Sequence, residues 1–190
     1  RVDIELLNNL HQKSVRVSFS STLDSRSVAG CVSGEFTFRR NKWRSVCEMN
    51  DFNVYGDRGQ GVGTRVFARQ VHKLSDCGVS WISTMASRSA RYEGNSVSLS
   101  TESNGYYTWA RLGFDLKIPK DKQRVLRDTF GRGISSTHEL FRIEGGGEIW
   151  REIGSTCLGV FNLSAGSRSR EMHAEYLDMK GICVAPNGSI

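Results

Sequence analysis

One short run places residues that could hold an anion. In YGDRGQGVGTRVFARQV, Tyr55 to Val71, glycines stand at Gly59, Gly61 and Gly63, and Arg58 comes just before them. An apolar, strand-like run leads in and an amphipathic, helix-like run leads out. The first N–H groups of a helix have no partner inside it and carry the positive end of its dipole. Glycines at that point remove the side chains that would keep a phosphate at a distance. A dinucleotide fingerprint, G-x-G-x-x-G, does not fit: its last glycine would fall on Thr64 counted from Gly59, or on Val66 counted from Gly61. A P-loop needs a Gly-Lys pair that is not there. What remains is Arg-x-x-Gly-x-Gly, at Arg58, Gly61 and Gly63. It is a pyrophosphate cradle or a tight strand-to-helix turn that binds nothing, and the motif alone is weak.

Other reactive side chains give less. Five cysteines (Cys31, Cys47, Cys77, Cys157, Cys183) are widely spaced and lack a C-x-x-C pair, so they read as small buried residues in a reducing compartment. Four histidines (His11, His72, His138, His173) have no ligand spacing, and no metal is expected. The net charge of +6 suits an anionic partner or simple solubility, and the basic residues are spread rather than blocked. The Ser167 region, SAGSRSRE, reads as a capped helix start with Arg168 and Arg170 exposed, or as a phosphate site. Trp43, Trp81, Trp109 and Trp150 read as packing residues. With 38% hydrophobic and 24% charged residues the composition is that of a globular domain, and no apolar run is long enough to span a membrane. No signal peptide is visible, so a cytoplasmic location is expected.

The elements that must position the glycine turn follow from periodicity. Residues 3–12 place Ile4, Leu7 and Leu10 at helical spacing and predict a helix. VRVSF (15–19) predicts a strand and 21–27 a loop. Runs 28–40 and 43–54 predict an antiparallel hairpin about Asn41-Lys42. Residues 61–78 predict a helix through Val62, Val66, Phe67, Val71 and Leu74, closed by Gly78. A strand at 79–87 then lies parallel to 43–54 through a crossover. A polar loop (88–103), a short helix (104–113) with Asn104 as cap and a strand (114–118) ended by Pro119 follow. Beyond 120 the character changes: helices at 121–130, 136–143 and 148–153, a glycine joint at Gly145–Gly147, a strand at 156–164, and a last helix from Ser167 to about Lys180. The order is that of an α+β fold with a mixed sheet.

At this point RGQGVGTRVFARQV resembles the acyl-CoA motif of the GNAT superfamily of N-acyltransferases, [Arg/Gln]-x-x-Gly-x-[Gly/Ala] between a central strand and a helix. A second stretch, YTWARLGFD (107–115), is similar to that family's late motif, a short helix ending in an aromatic-x-x-Leu-Gly-Phe run that enters a strand. The likeness covers about residues 28–118. It implies a GNAT-like domain at 1–118 and a mainly helical C-terminal extension at 119–190 packed on it.

The resemblance also implies an acetyl-CoA site. The pyrophosphate would meet Arg58, Gly59, Gln60, Gly61, Val62, Gly63 and Thr64, and the pantetheine arm would pair with the strand near Phe52, Asn53 and Val54. The base would be Glu48, which by simple alternation shares a face with Val46, Phe52 and Val54. Asp51, on the other face, is the second choice. The family's usual acid, a tyrosine, falls on Trp109 here, and Tyr107 is the nearest replacement. Transfer would be direct, from acetyl-CoA to an amine, with no acyl-cysteine. The amine could be a small molecule, a peptide or an aminoacyl-tRNA. A homodimer is left open, and no membrane partner is expected. The alternatives are a CoA-binding or interaction module without catalysis, or a basic nucleic-acid-binding protein.

Overall fold

The computed structural model describes residues 2–9, 12–25, 28–40, 45–56, 61–88, 91–93, 96–98 and 105–183, with side chains at 45–49, 61–88 and 105–183. The fold is mixed α+β. In chain order the elements are β1 (Val2–Asn9), β2 (Gln12–Ser25), β3 (Val28–Arg40), β4 (Ser45–Gly56), α1 (Val62–Asp76), β5 (Trp81–Ala86), β6 (Arg91–Glu93), β7 (Ser96–Ser98), α2 (Gly105–Arg111), β8 (Asp115–Leu116), α3 (Lys120–Phe130), α4 (Thr137–Leu140), α5 (Gly146–Ile153), β9 (Cys157–Asn162) and α6 (Arg168–Met179). They form two compact units, residues 1–84 with 162–190, and residues 85–161. Among the described residues no helix is long and apolar enough to cross a membrane.

In the first unit β1 to β4 are an antiparallel meander, and β5 joins β4 in parallel as a crossover through α1 requires. The expected helix at 3–12 is instead strand β1. Its register sets Val2, Ile4 and Leu6 opposite Phe19, Val17 and Val15, so the period-two pattern prevails over the helical one once β2 supplies backbone partners. Likewise β2 runs on to Ser25 against β3, where a loop from residue 21 is expected. The Asn41-Lys42 turn and the Asn104 cap lie outside the described residues.

Helix α1 buries Phe67, Ala68 and Val71, each of the large side chains contributing about 1.5–3 kcal/mol by leaving water. It ends in a Schellman motif. Gly78, at φ +71°, donates to the Ser75 carbonyl, and Val79 donates to that of Leu74. Helix α6 lies beside α1: the His173 ring meets Phe67 edge-on at 5.3 Å, and Ala68, Leu177 and Ile182 form one buried cluster. Arg170 donates to Ser75 Oγ at 3.4 Å and to the Leu163 carbonyl at 3.4 Å. Ser167 caps α6 as expected, accepting from the Arg170 N–H, and Gly181 at φ +63° closes it in the same way that Gly78 closes α1.

The second unit has its own core of Trp109, Phe114, Leu116, Ile118, Leu126, Ile134, Leu140, Trp150 and Phe161. Buried Thr137 stitches it. Its Oγ1 accepts from Leu116 N–H at 2.9 Å and donates to the Phe114 carbonyl at 3.1 Å. The expected loop at 88–103 contains a short hairpin, β6 with β7. The glycine run expected to be a joint builds the start of α5: Gly145 caps it at φ +75°, and Gly146 is buried against the Leu140 carbonyl.

Candidate functional site

Strand β4 carries the expected base. Its register with β3 breaks once. Phe36 pairs with Met49 and Glu35 with Asp51, so Asn50 is an extra residue on β4. The consequence is a change of face. Positions 46, 48, 51 and 53 fall on one face, opposite 39, 37, 35 and 33, and positions 47, 49, 52 and 54 fall on the other. This corrects the simple alternation. Glu48 shares a face with Asp51, not with Phe52 and Val54. Only the polar Asn50-Asp51 pair hints at this in the sequence.

On its other edge β4 pairs with β5 from Val46 and Trp81 to Met49 and Thr84, and β4 itself continues to Gly56. Thr84 Oγ1 donates to the Met49 carbonyl at 3.2 Å, so at that pair a side chain bonds the strand. Cys47, Met49, Ile82 and Thr84 are buried, and Val46, Glu48, Trp81 and Ser83 are half-buried. Burial, and secondarily the charge of Glu48, pushes the Cys47 thiol up to about 12. It stays protonated and is a poor nucleophile.

The glycine turn meets α1 at Gly61, in the left-handed region at φ 71°, ψ 11°. A Cβ there would meet Ile182 Cδ1 at 3.6 Å, an ordinary contact, so it is the backbone conformation and not space that calls for glycine. The first helical bond runs from Arg65 N–H to the Gly61 carbonyl at 3.0 Å. The N–H groups of Val62, Gly63 and Thr64 precede it and so lack an acceptor within the helix. Among the described residues no side chain caps this end, and no acidic residue stands in its first turn. Arg58, Gly59 and Gln60 lie outside the described residues. Phe52, Asn53 and Val54 stand on β4 beyond the extra residue, and their side chains, like that of Asp51, lie outside the description.

Tyr107 belongs to the second unit, on α2, and is half-buried. The guanidinium carbons of Arg111 and Arg151 lie 5.6 and 5.9 Å from its ring centre. Tyr106 is buried, with its hydroxyl bonded to the Arg151 carbonyl at 2.6 Å. Trp109 is buried too, and its position has a structural cause. Gly113, at φ 102°, donates to the Ala110 carbonyl and Phe114 donates to that of Trp109, a Schellman end for α2. Such ends favour an apolar contact between the residues that Trp109 and Phe114 represent. Their rings meet edge-on at 5.1 Å.

Arg168 and Arg170, the other candidate phosphate ligands, are engaged at home. Arg168 pairs with Glu171 at 3.5 Å and Glu175 at 3.1 Å, and Arg170 ties α6 to α1. Among the described residues no group of three or more His, Cys, Asp or Glu side chains gathers as a metal site would need. A scan of family models and a search of curated proteins return no match for this chain.

Proposed function

We propose that this chain is an acyl-CoA-dependent N-acyltransferase of GNAT type that moves an acetyl group from acetyl-CoA to an amine. The observation that carries the reading is the extra residue Asn50, which breaks the β3–β4 register just past the Met49–Thr84 pair, on the strand that precedes the glycine start of α1 at Gly61. A strand whose ladder is interrupted by an extra residue can offer backbone groups to the amides of a pantetheine arm. A helix start with glycine at its cap and no carboxylate in its first turn suits the pyrophosphate at the arm's other end.

Within this reading, a neutral amine nitrogen attacks the thioester carbonyl carbon, the new C–N bond forms and the C–S bond breaks. Glu48, with Asp51 on the same face, takes the proton the amine loses, and the sulfur leaves as thiolate. The raised pKa of Cys47 favours direct transfer over an acyl-cysteine.

A second reading, CoA binding without transfer, is favoured by Trp109. The residue at the usual acid's position is packed on Phe114, and its indole N–H is too weak an acid to protonate a departing thiolate.

Calorimetric titration with acetyl-CoA tests the donor site: binding well below millimolar is expected, and no heat at about millimolar ligand would sink both readings. With binding secured, Glu48→Gln is expected to lower kcat/KM on an amine panel by about 100-fold or more. Unchanged turnover would remove Glu48 as base, and no turnover by the wild type on any amine would leave the second reading.

A further inference from the structure

The second unit presents cations that stand within 4 Å of no carboxylate among the described residues. On α3, Lys120, Arg124 and Arg127 are exposed and stand four and three residues apart, which aligns them on one face over about 10 Å of helix. Leu126 is the buried residue of that helix. Gly131, at φ 68°, ends α3, and Arg132 follows. Arg132 and Arg142 then line a cavity of about 290 Å³ together with Gly133, Ile134 and Glu139.

The one carboxylate in that cavity is held chiefly by its own loop, with the Arg132 charge a lesser influence on it. Glu139 Oε2 accepts from Ser135 N–H at 2.7 Å and from Ser135 Oγ at 3.1 Å. Asp121 of α3 is paired with Lys122 at 3.8 Å. None of Lys120, Arg124, Arg127, Arg132 and Arg142 forms an ion pair with a described residue. In the chain the row is followed directly by a concave site with two guanidinium groups, the side chains whose planar forks match phosphate oxygens. Val125 is the single exposed large apolar residue on α3, too little to enter a lipid surface.

We propose that this face docks the phosphodiester backbone of a single-stranded nucleic acid, with one phosphate in the Arg132–Arg142 cavity and its neighbours along Lys120, Arg124 and Arg127. The proposal does not rest on the acyltransferase reading, and its test uses no acetyl-CoA.

The test is fluorescence anisotropy of the full chain with a labelled single-stranded RNA of about 20 nucleotides, from about 50 to 200 mM salt. The slope of log affinity against log salt is expected to fall in magnitude by about 1.4 in Arg132→Gln/Arg142→Gln, at about 0.7 per lost contact, and by about 2 in Lys120→Gln/Arg124→Gln/Arg127→Gln. A charge-matched control, Arg69→Gln/Lys73→Gln on exposed positions of α1, is expected to keep the wild-type slope. Should the cavity double variant unfold, either single change is expected to lower the slope by about 0.7. An equal fall in the control would overturn the proposal, because net charge alone would then explain binding. So would an absence of RNA binding, including the case in which inorganic pyrophosphate binds and is lost in the cavity variant, which would make this a small-anion site.

Discussion

Tyr106 donates its hydroxyl to the Arg151 carbonyl at 2.6 Å, and its own carbonyl accepts from the Trp150 indole at 3.1 Å. Its ring also lies under the Arg88 guanidinium, 5.1 Å from the centre, and against the position where a Cβ on Gly154 would stand. Every one of these contacts holds the second unit together. Tyr107, one residue on, is half-buried with two guanidinium groups over its ring. The two tyrosines therefore make separable predictions. Tyr106→Phe leaves the ring but removes a buried hydrogen bond, and is expected to cost about 1 kcal/mol in urea denaturation. Tyr107→Phe keeps its ring contacts and is expected to stay within about 0.5 kcal/mol of wild type. If Tyr107 protonates the departing sulfur, the same change slows transfer in a coupled thiol-release assay, whereas an unchanged rate would mean that the thiolate leaves unaided. Gly154→Ala drives a methyl group into the Tyr106 ring and the Trp150 carbonyl, and is expected to cost about 1–3 kcal/mol by the same urea measurement. The sequence made the aromatic–Leu-Gly-Phe run legible as a motif. It did not reveal that Trp109 serves the helix end, because that role depends on where Phe114 returns.

At the scale of elements, the helix ends were readable because their chemistry is local. Gly78, Gly113 and Gly181 each take a positive φ just past a helix, and Ser167 caps the next helix start, all within a few residues of the signal. Strand β1 departs from its helical period because its partner lies elsewhere in the chain. Ile4, Leu7 and Leu10 satisfy a helical period, and only the register with β2 selects the alternating set Val2, Ile4, Leu6. The extra residue on β4 was hidden for the same reason, since two strands are needed to define a register. It yields a sharp prediction. Deleting Asn50 leaves every β3–β4 pair in place, from Met49 with Phe36 onward to Asp51 with Glu35, now in one regular ladder. The shortened chain is expected to fold with a urea midpoint near or above that of wild type. Removing the irregularity straightens β4 and restores a regular ladder with β3, taking away the interruption that the proposed pantetheine arm would use. Acetyl-CoA affinity is therefore expected to fall at least about tenfold by calorimetry, a loss of about 1.4 kcal/mol. Wild-type affinity in the deletion would separate the bulge from the donor site.

The whole molecule divides in a way no local pattern announces. Helix α6 returns to α1 through Ala68, Leu177 and Ile182, a contact that spans most of the chain. Each unit carries a cysteine whose thiol resists ionisation: burial raises Cys47 from 9.0 to about 12 and Cys157 from 9.0 to about 11. These raised values set the sign of the alkaline response. Below about pH 9 both the folded and the unfolded chain keep the Cys47 proton, and its contribution to stability is fully present. As pH rises from there toward 12 the unfolded chain gives up the proton first, so it binds fewer protons than the folded chain. Stability then falls, by at most about 1.4 kcal/mol per pH unit from this group. Cys157 adds a loss of the same sign over a shorter range. Replacing Cys47 with alanine costs some packing at every pH but abolishes this proton difference. Urea denaturation of wild type and Cys47→Ala from about pH 7 to 10.5 is therefore expected to give parallel curves below about pH 9. Above it the variant should decline more gently, by about 1 kcal/mol per pH unit. Curves that stay parallel through pH 10.5 would mean that Cys47 ionises alike in the folded and unfolded chain, and would place water at the β4–β5 pair where the fold has Cys47 buried.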